Sequence, residues 1–499
     1  MVARPSAERH VVPRWRSVAR TVEAGEFRRL AERRPLLPNQ SEELDRLERV
    51  WQLEQSDIAA SEFVTSALVA GLADRAKDAA TQLQDAASPV LSSFASRALN
   101  APVALSKAEE TDELNHHRFF KEIQRTKSRL RLNPRSALAW ADLARRYTIL
   151  GQLDKADQSL RIALAIAPYS RYLLRIRTKF LVHTDRPRDA LHLLERSPRT
   201  IDDPWLTAAR LSVEIGSGRS PHGMKAARRL SENLSFHDIE RSELKSELGT
   251  LELRSGQDKR AKKLFRSAVE VPTDNALAQV IWASEHLRAL ERPNPSSVPF
   301  ASEAMCRQAG QSGDWTAAVR FSLSWLDDQP FDAEAAMFGS FYALVGLEAW
   351  TKGREIAALG LQTNPQNATL RNNHAFALAQ LGDLEKAKDE LRSARQLAGR
   401  SENVAILATE GLIAFRSGDP AEGRIRYQTA IDLACRQKQG DQEAMAQAML
   451  TQEELRAGLN IDANAARIIT DLMDTVAQPG VTAVMQRTLG KLPAAVKNG

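Results

Sequence analysis

The chain has 499 residues, 43% hydrophobic and 26% charged, a balance that excludes a disordered chain and leaves room for several domains or one long repeat array. Its 24 glycines and 21 prolines exclude collagen-like and low-complexity architecture, and two cysteines, Cys306 and Cys435, are too few for a disulfide framework or a thiolate metal site. A formal charge of +6 is too small by itself to imply a polyanionic partner.

In chain order, residues 1–40 carry Arg4, Arg9, Arg14, Arg16 and Arg20 among Pro5, Pro13, Pro35 and Pro38, and read as a basic, loosely ordered arm with a short helix. No apolar core or small-residue cleavage site follows these arginines. The longest apolar runs, such as 163–167, fall far short of the roughly 18 residues that span a bilayer. The expectation is therefore no membrane insertion, with the cytoplasm as default compartment. Residues 41–102 show helical spacing at Leu44, Leu47, Val50 and Trp51 without a repeat signature. Residues 103–136, closing on Leu132-Asn133-Pro134, read as an irregular first unit of a repeat block that runs to 290.

From 137 onward the chain is periodic. Gly313, Gly346, Gly382 and Gly418 stand 33, 36 and 36 residues apart; Gly151 and Gly256 are separated by 105, and Thr184-Asp185 holds the first step between them. Five residues after the turns comes a small residue (Ala156, Ala190, Ala261, Ala318, Ala387, Gly423), and four further on usually a large one (Leu160, Leu194, Phe265, Leu391, Tyr427). These offsets place both on one helix face, where small residues let a neighbouring helix approach. A second amphipathic helix precedes each turn, as with Trp140, Leu143, Ala144 and Tyr147. The turn glycine suits a left-handed C-cap, the following Asp an N-cap, and Pro134, Pro168, Pro330 and Pro365 close the units. Each unit reads as a helical hairpin of about 34 residues.

The hairpin with Trp140, Leu143, Tyr147, Gly151, Ala156, Leu160, Ala163 and Pro168 resembles a tetratricopeptide repeat, departing from that pattern at Ala144, where glycine is usual, and at Leu160, where an aromatic is common. Units at 137–170, 242–275, 299–332, 368–401 and 404–437 match well, 171–204 and 333–367 are degenerate, and 205–241 has an altered loop at Gly216-Ser217-Gly218. The proline-rich stretch 291–299 separates the first block from a second at 300–437, and 438–499 read as a helical cap and tail. The resemblance implies an all-α, right-handed solenoid of helical hairpins in two repeat blocks.

No catalytic constellation accompanies the repeats. His116 and His117 are adjacent and diverge by roughly 100° on a helix, and Ser242-Glu243-Leu244-Lys245 is a chance Ser-x-x-Lys string without partner motifs, so no enzyme activity, metal or cofactor is expected. Two basic clusters stand out: Arg118, Lys121, Arg125 and Arg129 along one helical stripe, and Lys259, Arg260, Lys262 and Lys263. The resemblance also implies a groove lined by the first helix of each hairpin that captures extended peptides, in the family sometimes through Lys and Asn clamping two carboxylates. Here Ala141, Asp142 and Arg145 stand at those places and do not reproduce the clamp, while the unit 368–401 carries Asn372 and Asn373. The expected function is a scaffold that binds a protein or peptide partner through groove residues Asp142, Arg145, Asn372 and Asn373. The alternative is a nucleic-acid-associated regulator that uses the basic clusters.

Overall fold

The computed structural model describes residues 9–16, 40–69, 73–84, 95, 107–287, 289–399, 403–462, 464–474 and 476–493. Among them lie 24 α-helices and no strand. The chain divides into two compact units, one of residues 12–222 and one of residues 1–11 with 223–499.

In the unit 12–222, α1 (Gln40–Glu54), α2 (Asp57–Val69) and α3 (Lys77–Gln84) enclose a small core of Leu44, Leu47, Phe63, Val64 and Leu83, with Trp51 stacked on Phe63 at 5.7 Å. The long α4 (Lys107–Leu132) replaces the irregular hairpin expected before Pro134, ending two residues short of that proline. Two hairpins follow, α5 (Ala137–Ile149) with α6 (Leu153–Ile166) and α7 (Arg171–His183) with α8 (Pro187–Arg196), and then α9 (Pro204–Gly216). Glu62 of α2 ties this unit together, accepting from Lys127 Nζ of α4 at 2.5 Å and Lys155 Nζ of α6 at 2.9 Å. Burial would raise its carboxyl, but the two ammonium groups outweigh burial and hold it down at about 2.

The other unit begins its helices with α10 (Met224–Glu232) and the hairpin α11 (Asp238–Arg254) with α12 (Asp258–Ala268). Next comes α13 (Asp274–Ala283), which has no second helix: an irregular stretch with a 3-10 turn at Pro295–Ser297 leads to α14 (Ser302–Ser312). Hairpins then resume: α14 with α15 (Trp315–Asp328), α16 (Ala333–Phe341) with α17 (Trp350–Thr363), α18 (Ala368–Leu381) with α19 (Leu384–Ala398), and α20 (Val404–Arg416) with α21 (Pro420–Arg436). α22 (Gly440–Arg456), α23 (Ala465–Met473) and α24 (Pro479–Lys491) close the unit. Arg487 of α24 caps the turn after α16, donating to Val345 O at 2.5 Å and to Glu348 at 3.1 Å.

The repeat chemistry is visible in the turns. Gly151, Gly256, Gly313, Gly382 and Gly418 all have φ between 70 and 86°, and Asp185 takes the same left-handed place at 55°. Asp314 and Asp419 cap the following helices, accepting from Ala317 N and Glu422 N. Gly346 is different. It ends a π-helical turn, Tyr342–Gly346, the left-handed residue there is Glu348, and a Cβ on Gly346 would lie 2.5 Å from the Trp315 ring. Close packing, rather than turn conformation, requires glycine at that step.

Within the hairpins, small and large residues pair at a separation of 16. A Cβ on Gly249 would meet the Phe265 ring at 2.9 Å, and one on Gly411 would meet Tyr427 at 2.6 Å. In the hairpin α5–α6 the same two places hold Ala144 and Leu160, both fully buried. The two departures from the repeat pattern therefore offset each other: the added methyl faces a side chain without a ring.

Candidate peptide-binding groove

The basic arm is where the structure adds most. Residues 9–16 are neither helical nor loose but extended, with Arg9, Val11, Pro13 and Trp15 buried and the residues between them half-buried. Alternation of period two is what an extended chain presents when one side packs against a surface. Pro13 favours it locally, since its ring fixes φ and biases Val12 away from the helical region.

In the unit that contains residues 9–11, these residues lie against first helices. Arg9 donates from Nε and Nη2 to both carboxylate oxygens of Glu303 on α14, at 2.6 and 3.0 Å. Its Nη1 donates to Gln279 Oε1 at 2.7 Å and its Nη2 to Asn275 Oδ1 at 2.9 Å, both on α13. The backbone is held as well: Gln279 Nε2 donates to Arg9 O at 2.8 Å, and Val11 N donates to Glu247 Oε2 of α11 at 3.1 Å. His10 Nδ1 stands 3.8 Å from the other oxygen of Glu247. Arg9, Glu303, Asn275, Gln279 and Glu247 are all at most 5% exposed, so each charge sits where it needs a partner.

The pocket is itself braced. Gln279 Nε2 also donates to Thr250 Oγ1 at 2.7 Å, which aims Oε1 at the guanidinium. Arg307 Nε donates to Glu303 Oε1 at 2.8 Å and its Nη2 to Glu334 at 2.8 Å. Burial opposes the charge on Arg307, but Glu303 and Glu334 outweigh it, and the guanidinium titrates above its usual range. The break in the period makes this convergence possible: without a second helix after α13, α13 packs directly on α14, and Gln279 and Glu303 both reach Arg9.

In the unit that contains residues 12–16, Trp15 lies edge-on to Phe180 of α7, with ring centroids 6.3 Å apart. Arg145 Nε of α5 donates to Trp15 O at 3.2 Å, and Tyr172 Oη of α7 donates to Arg16 O at 3.0 Å. Burial, reinforced by the Asp142 charge, pushes the Tyr172 phenol above its usual range and keeps it a donor.

Of the groove residues expected from sequence, Arg145 therefore touches the extended segment, and Asp142 acts on a residue that does. Asn372 and Asn373 are buried in α18, and Asn373 Nδ2 donates to Ser340 Oγ of α16 at 3.2 Å, a bond between successive first helices. Lys121, Arg125 and Arg129 are exposed on α4, and the side chain of Arg118 lies outside the described residues. Lys259, Arg260 and Lys263 are exposed and Lys262 half-buried on α12, a second helix, where Arg260 stands 4.0 Å from Glu252. The α4 and α12 clusters belong to different units. Glu247, Gln279 and Glu303 were not foreseen, although Glu247 stands five residues into its unit, as Asp142 and Asn373 do in theirs.

Each unit also holds a cavity. One of about 450 Å³ lies over Glu62, Tyr147 and Lys155, and one of about 500 Å³ is lined by Trp282, Trp315, Phe338, Tyr342 and Arg307. No cluster of three His, Cys, Asp or Glu suited to a metal ion occurs among the described residues, and no helix among them is long and apolar enough to cross a membrane.

No family model and no curated protein matches the sequence. Solved structures that overlay on the chain include the Cut9–Hcn1 hetero-tetramer of APC/C, at 13% identity and TM-score 0.36, covering 90% of each chain. Yeast Tom70 overlays at 14% identity and TM-score 0.32, over 87% of this chain and 95% of its own. Human IFIT1, as a dimer with PPP-AAAA, overlays at 12% identity and TM-score 0.33, over 91% of this chain and 96% of its own.

Proposed function

We propose that the chain is a non-catalytic scaffold whose first-helix faces capture an extended segment of a protein partner. What supports the reading is the manner in which residues 9–11 are held: side chains of α11 and α13 bond to the backbone at Arg9 O and Val11 N, as a groove holds a peptide ligand. A preformed array spares part of the ordering cost of such binding. On this reading the basic clusters on α4 and α12 are not part of the binding site.

The test places a photo-crosslinking p-benzoylphenylalanine at Tyr172 in the groove and, separately, at Arg125 on the exposed side of α4, in lysate of the source cell. Capture of protein through Tyr172, suppressed by excess synthetic peptide spanning Glu8–Ser17, is the expected result. Capture of RNA or DNA through Arg125, falling steeply as salt rises and with no protein captured through Tyr172, would overturn it in favour of nucleic-acid binding.

A further inference from the structure

We propose that the pocket formed by α11, α13 and α14 is a selective site for an arginine carried on an extended segment, and that residues 9–11 fill it in cis as a tethered competitor. The partner that displaces them presents the same chemistry: an arginine followed two positions later by a β-branched apolar residue. This rests on the groove reading above and gives it a ligand class.

The selectivity follows from the shape of the acceptors. Glu303 takes two parallel N–H groups of the guanidinium edge, from Nε and Nη2, while Asn275 Oδ1 takes the second N–H of Nη2 and Gln279 Oε1 an N–H of Nη1. Four donors in one plane are what arginine offers; a lysine ammonium has three, arranged about a single point, and cannot reach acceptors on both sides. Bonds at Arg9 O and Val11 N fix the register, and burial of Val11 beside its bonded N–H leaves room for a compact apolar residue two positions after the arginine.

The pocket also calls for a basic occupant. Glu247 is fully buried, and its Oε2 accepts from Val11 N of the segment. Glu303, 4% exposed, is shared between Arg9 and Arg307. The sign of this face is therefore opposite to that of a groove built to clamp a carboxylate.

The segment is an insert rather than a member of the array. It forms no helix, and its hydrogen bonds in this pocket run to side chains of helices that are built and braced without it, through Gln279–Thr250 and Arg307–Glu334. It can leave while those helices persist. Because the segment is covalently part of the chain, its occupancy of the pocket is intramolecular, at an effective concentration of about millimolar. A free partner segment competes against that concentration.

The experiment uses the full chain with a protease site inserted between 17 and 39, folded, cut, and exchanged against excess fluorescent peptide spanning Glu8–Ser17, with binding read by polarisation. Cutting is expected to strengthen peptide binding about tenfold or more. On the cut chain, lysine in place of the peptide's Arg9 equivalent, or Glu303→Gln in the pocket, is expected to weaken binding roughly tenfold or more. The uncut Arg9→Ala chain, which vacates the pocket without cleavage, provides an independent route to the same comparison. Equal affinity for arginine and lysine peptides would overturn arginine selectivity while leaving the groove reading intact. Equal binding before and after cutting would overturn competition in cis. No peptide binding by either the cut or the Arg9→Ala chain would overturn both this proposal and the groove reading.

Discussion

Gly249→Ala tests whether the small–large pairing at a separation of 16 holds the hairpins together. The added methyl would stand 2.9–3.0 Å from three atoms of the Phe265 ring, which is fully buried and has no solvent side to retreat to. Overpacking of this kind costs about 1–3 kcal/mol. Removing a mid-helix glycine returns about 1 kcal/mol through backbone entropy. The net loss is up to about 2 kcal/mol, or as much as a roughly 30-fold fall in the folded ratio of the hairpin. Phe265→Leu alone opens space and costs about 1 kcal/mol or somewhat more. The double variant reproduces the Ala144–Leu160 pair already present in α5–α6, so it is expected to lie closer to wild type than the sum of the singles, with a coupling of about 1–2 kcal/mol. Hydrogen exchange of the α11 and α12 amides reads the local effect directly, because repeat arrays need not unfold in one step. A Gly249→Ala chain more protected than wild type, or singles that simply add, would refute the pairing argument.

Three further outcomes follow from individual groups. The Glu62 carboxyl, held at about 2 against 4.5 when unfolded, gives stability that is complete above pH 4.5 and lost as pH falls toward 2. Denaturant unfolding at stepped pH should therefore find Glu62→Gln less stable than wild type near pH 7 by about 3 kcal/mol at most, with the gap closing toward pH 3; a gap independent of pH would refute the assignment. Burial pushes the Cys306 thiol up while Cys435 is exposed, so a thiol reagent should titrate one cysteine promptly in the native chain and the second only on unfolding. Two prompt equivalents would contradict the packing of α14. Asn373→Ala removes the bond to Ser340 and should cost about 1–2 kcal/mol around α16 and α18 while leaving capture through Tyr172 unchanged. Lost capture with unchanged stability would return Asn373 to the ligand side of the groove.

The hairpins were legible because their cause is local and repeated. Ala156, Ala261 and Ala387 recur at a fixed step after a turn, and each is fully buried where that step places it on a helix face. Spacing alone misjudged Gly346, since a glycine needed for a left-handed turn and one needed beneath the Trp315 ring look alike in sequence. It also left Asn373 between two roles that the bond to Ser340 distinguishes.

Sequence by itself determined the period, the helices and the small and large positions along them, because each is set by residues within one hairpin. Only the tertiary structure decided how residues 9–16 of the arginine-rich arm are held. Arg9 and Glu303 are 294 residues apart, and their bond leaves no periodic trace. Residues 9–11 acquire an order only from the surface that receives them, and that surface exists only after α11, α13 and α14 have packed.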